Sequence, residues 1–310
     1  MTDVCRFCLV AVALVALLAS CGGSDAGPQA IAPVYAQFAG YAPGEPVTPE
    51  MQACMKVLGE SDPSAVAASA AVRVFAPDAD SVFPSLRPLE LALGGVLASA
   101  AEQGLELPVR RYGAVVWGRP ESIVFCDSVM LVALNHYLGV DYPGYSHLEA
   151  YRRAPKTPAQ LPYDMAEALV ATSFPFEGGE SPTVLARLLY EGALAEARLR
   201  LAGGSPADAL GYTDEEYGRL NDSEADLWRA LVAGRMLYST LPLDAARLVS
   251  PAPATAVLSP RAPGRAGRFI GHQMVRAYLA SHPQAGLREL LSPAFYMSEV
   301  TLRESGYAPR

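Results

Sequence analysis

Histidine is scarce in this 310-residue chain: four in all, His136, His147, His272 and His282, with no two spaced i, i+4. A zinc site of the H-E-x-x-H kind needs two imidazoles on one helix face, so that signature is excluded as written. Basic residues are outnumbered, 24 against 32 acidic, for a net charge of -8. Clustered Lys and Arg are what phosphate binding requires, so no nucleic-acid partner is expected. Beyond the first twenty residues, no apolar run approaches the ~20 residues of a membrane helix. Apart from Cys5 and Cys8, which fall in the N-terminal leader, there is no C-x-x-C, and there is no G-K-[ST] loop, which removes cysteine metal sites and nucleotide cradles. No cofactor is expected. The 51% hydrophobic content suffices for one sizeable domain.

The one long apolar run is Phe7 to Ala19, of signal-peptide length and too short to span a bilayer. It ends in Leu18-Ala19-Ser20-Cys21, which looks like a lipobox. That implies cleavage before Cys21, diacylglycerol on its thiol and an acyl chain on its amine, and more than one chain is what makes an anchor stable. No Asp follows Cys21, so an outer-membrane, lipid-anchored address is expected, with the membrane and envelope proteins as partners. With Cys5 and Cys8 lost in the signal, Cys54 and Cys126 remain, either as a disulfide or as two buried thiols.

The expected organisation is a signal peptide over 1–20, a Gly/Ala/Pro-rich tether over 21–47 and one domain over 48–310. Val34, Tyr35 and Phe38 are apolar enough to dock part of the tether. Thr48 with Pro49 reads as an N-cap and N1, opening a helix to about Leu58. Ala65 to Phe75 and Pro88 to Gln103 read as helices, with a loop over 77–84 between them. Tyr112 to Trp117 and Ser122 to Phe125 read as strands around a Gly118 turn, and Ser128 to Leu138 as a buried helix. Thr213 to Glu216 and Asn221 to Glu224 are capping boxes. Leu241 to Pro263 reads as irregular, Gly267 to Ser281 as the last long helix. The fold class is α+β and predominantly helical.

Leu161 to Leu201 is the stretch of most chemical interest. It reads as two helices, the first holding Ala166-Glu167-Ala168-Leu169-Val170 and the second Glu191-Gly192-Ala193. Glu167 stands at the general-base position of a zinc peptidase and Glu191 at the third-ligand position, but Ala166 and Val170 replace the two histidines. Neither side chain has a lone pair to give, so tight zinc binding should be lost. Local roles suffice for both carboxylates. Asp164 to Glu167 is itself a capping box, and Arg187 sits at i−4 from Glu191, a helical pair of about 0.3–0.5 kcal/mol. Gly144 to Leu148 fails the G-x-S-x-G elbow. Gly264, Gly267 and Gly271 read as a turn and a helix face that packs closely, although Arg261, Arg265 and Arg268 nearby suit an anion at a helix N-terminus. Tyr112, Trp117, Tyr137, Tyr142, Tyr145 and Tyr151 are core, or line a groove.

Collinear segments carry a family resemblance. They are Ser122-Ile-Val-Phe-Cys-Asp-Ser128, Leu134 to Tyr142, Leu185 to Ala195, Gly211 to Glu216, Asn221 to Trp228, Ala262-Pro-Gly-Arg-Ala-Gly-Arg-Phe-Ile-Gly-His-Gln-Met-Val-Arg-Ala-Tyr278, and Ser305 to Pro309. Over about Leu89 to Arg310 the chain resembles the GldB-type gliding-motility lipoproteins, which look like distant relatives of predicted zinc-dependent proteases. The motif residues carried over are Gly192, Trp228, Pro263, Gly264, Gly267, Gly271, Arg276 and Tyr278. The resemblance implies a zincin-like fold with a small β-sheet and a role in the envelope machinery of gliding and secretion. It does not imply catalysis, since such lipoproteins lack the complete zinc signature. The leading expectation is therefore a non-catalytic binding or assembly lipoprotein on a degenerate zincin scaffold. The alternatives are a metallopeptidase with an atypical ligand set, Glu167, Glu191 and His272, or a peptide- or glycan-binding protein using Tyr137 to Tyr151.

Overall fold

A computed structural model describes residues 26–310. The signal peptide and Cys21 lie outside the described residues. Helices dominate, with one four-stranded mixed sheet, so the α+β, largely helical class holds. The chain divides into two compact units: 1–98 with 107–147 and 155–165, and 99–106 with 148–154 and 166–310.

The first unit is built on the sheet. Its strands are β1 (Ala32–Pro33), β2 (Arg111–Val115), β3 (Ile123–Cys126) and β4 (Val129–Ala133), in the order β1-β2-β4-β3. β2 pairs in parallel with both β1 and β4, while β3 and β4 form an antiparallel hairpin at one edge. Asp127 makes that two-residue turn with φ 54°, a conformation that aspartate tolerates better than most residues. The expected β2–β3 neighbours are thus separated by β4, and the buried helix expected over 128–138 is instead β4 plus a 3-10 turn at Leu134–His136. All five residues of β4 are buried. A strand covered on both faces shows an unbroken apolar run, which periodicity cannot separate from a buried helix.

Around the sheet lie α1 (Val34–Ala39), α2 (Pro49–Leu58), α3 (Pro63–Ala67), α4 (Ala70–Val82) and α5 (Arg87–Glu102). Thr48 caps α2 by accepting from Met51 N–H, with Pro49 in the first turn, as the sequence indicates. Residues 32–39 dock on this unit, with Val34, Tyr35 and Phe38 buried as their apolar character suggests. β1 pairs with β2, and Val34 and Phe38 share a core with Met51, Val115, Trp117 and Leu131. Apolar burial outweighs the Gly/Pro-rich composition around them. The loop expected over 77–84 is mostly helix, since α4 continues through Pro77 to Val82. Two tyrosine hydroxyls hold its far half, Tyr142 donating to Asp78 and Tyr35 to Asp80 at 2.6 Å. Cys54 and Cys126 are buried free thiols in this core, not a disulfide. Burial pushes the Cys54 thiol up to about 12.

The second unit is helical: α6 (Ala150–Arg153), most of α7 (Leu161–Ser173), α8 (Val184–Ala202), α9 (Pro206–Leu210), α10 (Asp214–Asp222), α11 (Glu224–Ala233), α12 (Pro242–Val249), α13 (Ala266–Ser281), α14 (Leu287–Leu290), α15 (Pro293–Tyr296) and α16 (Glu299–Ser305). The Thr213–Glu216 capping box forms with both hydrogen bonds. The one expected over Asn221 to Glu224 does not, because Ser223 closes α10 and starts α11 with no side-chain cap. The segment expected to be irregular over 241–263 contains α12.

α8 and α13 form the centre of this unit, and sixteen of the nineteen α8 residues are buried. The backbones meet where glycine faces glycine. A Cβ on Gly192 would lie 2.2 Å from Gly271 O, and one on Gly271 would lie 1.9 Å from Leu188 O. Only residues lacking that carbon permit the approach.

Candidate functional site

α7, α8 and α13 bring one line of charged side chains into the interior. Glu167 of α7 receives Arg198 of α8 and, at 2.9 Å, Arg268 of α13. Arg268 also reaches Glu191 of α8 at 3.0 Å, and Glu191 pairs one turn back with Arg187 at 2.7 Å. A second group follows along the same two helices, where His272 Nε2 lies 3.0 Å from Glu196, which also receives Arg200 at 2.6 Å. Arg198, Glu191, Glu196, Arg268 and His272 are all buried, His272 completely. Residues four apart on one helix face one way, so positions 187 and 191, 196 and 200, and 268 and 272 stack in pairs along the seam.

Burial alone raises the Glu167 carboxyl, but Arg268 and Arg198 outweigh it and hold that carboxyl well below the usual carboxylate range. Glu196 follows the same logic, with burial opposed by His272 and Arg200 and a net lowering. Arg268 is disfavoured by burial yet stays charged beside Glu167 and Glu191. Glu167 is thereby held ionised between its two arginines. Its neighbour Arg265 differs: burial and the nearby Arg268 lower its proton affinity, and its guanidinium lies over the Tyr212 ring.

The two carboxylates of the zinc pattern therefore do converge, but on a guanidinium. Arg268 occupies the position between Glu167 and Glu191, with both oxygen acceptors committed to it. Ala166 and Val170 are fully buried apolar residues beside them. His272 does not join Glu167 and Glu191, because it faces Glu196. Among the described residues, no group of three His, Cys, Asp or Glu side chains is placed to hold a metal ion.

Two local expectations separate here. The Arg187–Glu191 pair is present. The Asp164–Glu167 capping box is not, because α7 starts at Leu161 and both residues lie inside it. Asp164 instead accepts a hydrogen bond from the Tyr137 hydroxyl at 2.9 Å, while Glu167 turns to the arginines. Arg198, Glu196 and Arg200 escape a motif search for metal ligands. The only signal for them is the i, i+4 spacing of 196 and 200, which repeats that of 187 and 191 earlier in the same helix.

The glycine-rich segment before α13 is architectural too. Thr255, itself buried, donates to Pro263 O at 2.8 Å and accepts from Ala266 N–H at 2.9 Å, so its hydroxyl caps the first N–H of α13. Gly264 lies against the Ala252 backbone and accepts the Tyr212 hydroxyl, and Gly267 lies against Leu248 and Leu188. Tyr278 donates to Glu289 and stacks on His282, and Trp228 packs edge-on against Tyr307. Arg276 is exposed and donates to Gln273 at 3.4 Å. Of the aromatics offered as a groove, Tyr112, Trp117, Tyr137 and Tyr145 are core.

No helix among the described residues is long and apolar enough to cross a membrane. Neither the curated proteins nor the solved structures give a significant match to this chain. The family model described as "Gliding motility protein GldB" does match, over residues 52–309, and so takes in the whole buried charge line and the glycine seam. On a match covering most of its length, the chain belongs to the GldB gliding-motility lipoprotein family.

Proposed function

We propose that this protein is a non-catalytic component of the envelope machinery of gliding and secretion, held at the outer membrane by lipid on Cys21. In this reading it works by binding or assembling other envelope proteins, on a scaffold of zincin-like descent. The observation that carries it is the Arg268 guanidinium between Glu167 and Glu191. A peptidase of the zinc type needs a cation that leaves a coordination position open and a carboxylate free to take a proton from water. Arginine offers no such position, and Glu167 is committed to two of them. The glycine seam and the interlocked pairs instead make this a rigid support whose outer surface is available to partners.

Zinc analysis after equilibration with the metal tests the reading, using the chain from Ala26 onward. Well under one zinc per chain is expected, with no chelator-sensitive peptide hydrolysis. One tightly held zinc per chain, with hydrolysis lost in Glu167→Gln, would overturn it. The binding half of the proposal is tested by affinity capture from envelope extracts with the full lipidated chain. A discrete set of envelope proteins, retained equally by the Glu167→Gln variant, is the expected outcome.

A further inference from the structure

The chain between Cys21 and the first folded residue is shorter than its composition implies. Were 21–47 a free tether, it would give a reach of roughly 90 Å. The structure instead pins the chain at Gly27. A Cβ added to Gly94 of α5 would lie 2.2 Å from Gly27 O, a close approach that glycine alone allows. Gln29 N–H then donates to Glu90 O at 2.9 Å, and Ile31 N–H to the Glu90 carboxylate at 3.2 Å. Ile31 is buried, and the next two residues form β1. Residues 27–31 thus form a strap laid on α5. Gly27 follows Cys21 by only six positions, a reach of about 20 Å at full extension.

From this strap we infer that the lipid anchor holds the α5 side of the first unit against the bilayer surface, instead of letting the unit range freely on a long leash. The inference rests on Cys21 being lipidated. The partner is a lipid surface, and the face it meets carries exposed Pro28, Ala30 and Leu91, the last 47% exposed on α5. An exposed leucine near a membrane anchor suits the headgroup–acyl boundary. The opposite edge of the sheet, at β3, lies three strand spacings from β1, roughly 14 Å further along the sheet.

The test is fluorescence quenching on the full lipidated chain in phosphatidylethanolamine/phosphatidylglycerol vesicles carrying brominated acyl chains. Single labels are placed through Leu91→Cys and, at the β3–β4 turn, Asp127→Cys, while native Cys54 and Cys126 stay buried and unlabelled. Several-fold stronger quenching at 91 than at 127 is expected. Inserting about twenty Gly/Ser residues after Ser24, which adds roughly 25 Å of root-mean-square reach, should remove the difference while leaving flotation with vesicles intact. Equal quenching at both positions in the unmodified, floating protein overturns the strap inference alone. A protein that does not float overturns the anchor and the inference with it.

Discussion

Replacing Gly192 by alanine adds one carbon to a buried helix face and should be severely destabilising. The new Cβ would sit 2.2 Å from Gly271 O, 2.3 Å from Gly271 C and 2.7 Å from His272 N, all backbone atoms that no rotamer change can move. Ordinary contact begins near 3.4 Å, so α8 and α13 must part locally by about 1 Å. Overpacking of this kind costs about 1–3 kcal/mol. The same displacement stretches two buried contacts of the seam, Arg268 to Glu191 and His272 to Glu196, each 3.0 Å in the native state. Weakening two charge-assisted contacts adds about 1–2 kcal/mol. The total, about 2–5 kcal/mol, is a large part of a typical domain's stability and lowers Tm by roughly 5–15 °C. Denaturant unfolding of the chain from Ala26 measures it. Gly218→Ala in α10 is the matched control. No atom lies within 4 Å of its added Cβ, so loss of glycine's chain entropy should stabilise it by about 0.5–1 kcal/mol. The reasoning is refuted if Gly192→Ala unfolds within 0.5 kcal/mol of the parent by the same assay, or if the two substitutions shift the midpoint in the same direction.

Arg268→Met should cost about 3–5 kcal/mol by leaving Glu167 and Glu191 short of a partner in a buried setting, and a denaturation midpoint unchanged from the parent would show the pairs to be idle. His136 gives a pH dependence. Burial, with Lys156 nearby, lowers it from 6.5 to about 4, its Nδ1 facing Ser122 Oγ and its Nε2 the Arg119 carbonyl. The unfolded chain therefore binds a proton below pH 6.5 that the folded chain refuses until about 4. Stability is complete above 6.5 and falls as pH drops toward 4, by roughly 3 kcal/mol in total. Unfolding titrations between pH 7 and 5 should show this slope, and a His136→Gln variant should lose it.

Local signals in the sequence proved reliable where the physics is local. Thr48 with Pro49 and the Thr213–Glu216 box cap helices because the bonds they make lie within four residues. The Arg187–Glu191 pair is a one-turn contact for the same reason. One local signal failed, the Asn221–Glu224 box, because Ser223 joins α10 directly to α11; other failures depend on distant partners. Asp164 and Glu167 have the spacing of a capping box, yet Tyr137 and the two arginines take their oxygens. Pro77 ought to end a helix, but hydroxyls from Tyr35 and Tyr142 hold α4 beyond it. Val34 and Phe38, apolar residues in a stretch with a linker's composition, do dock as their chemistry suggests, and β2 offers the edge on which β1 pairs.

By itself the sequence determined that the two histidines of a zinc peptidase are missing, that the class is α+β and mostly helical, and that the glycines at 192, 264, 267 and 271 mark close packing. Each of these follows from residue chemistry or from a periodicity read within one element. Only the tertiary structure decided what stands between Glu167 and Glu191. Arg198 and Arg268 lie 31 and 101 positions from Glu167, and no spacing rule links them. They meet because glycine lets α8 and α13 touch, and because a carboxylate buried at such a seam is stable only with cations at hydrogen-bonding distance.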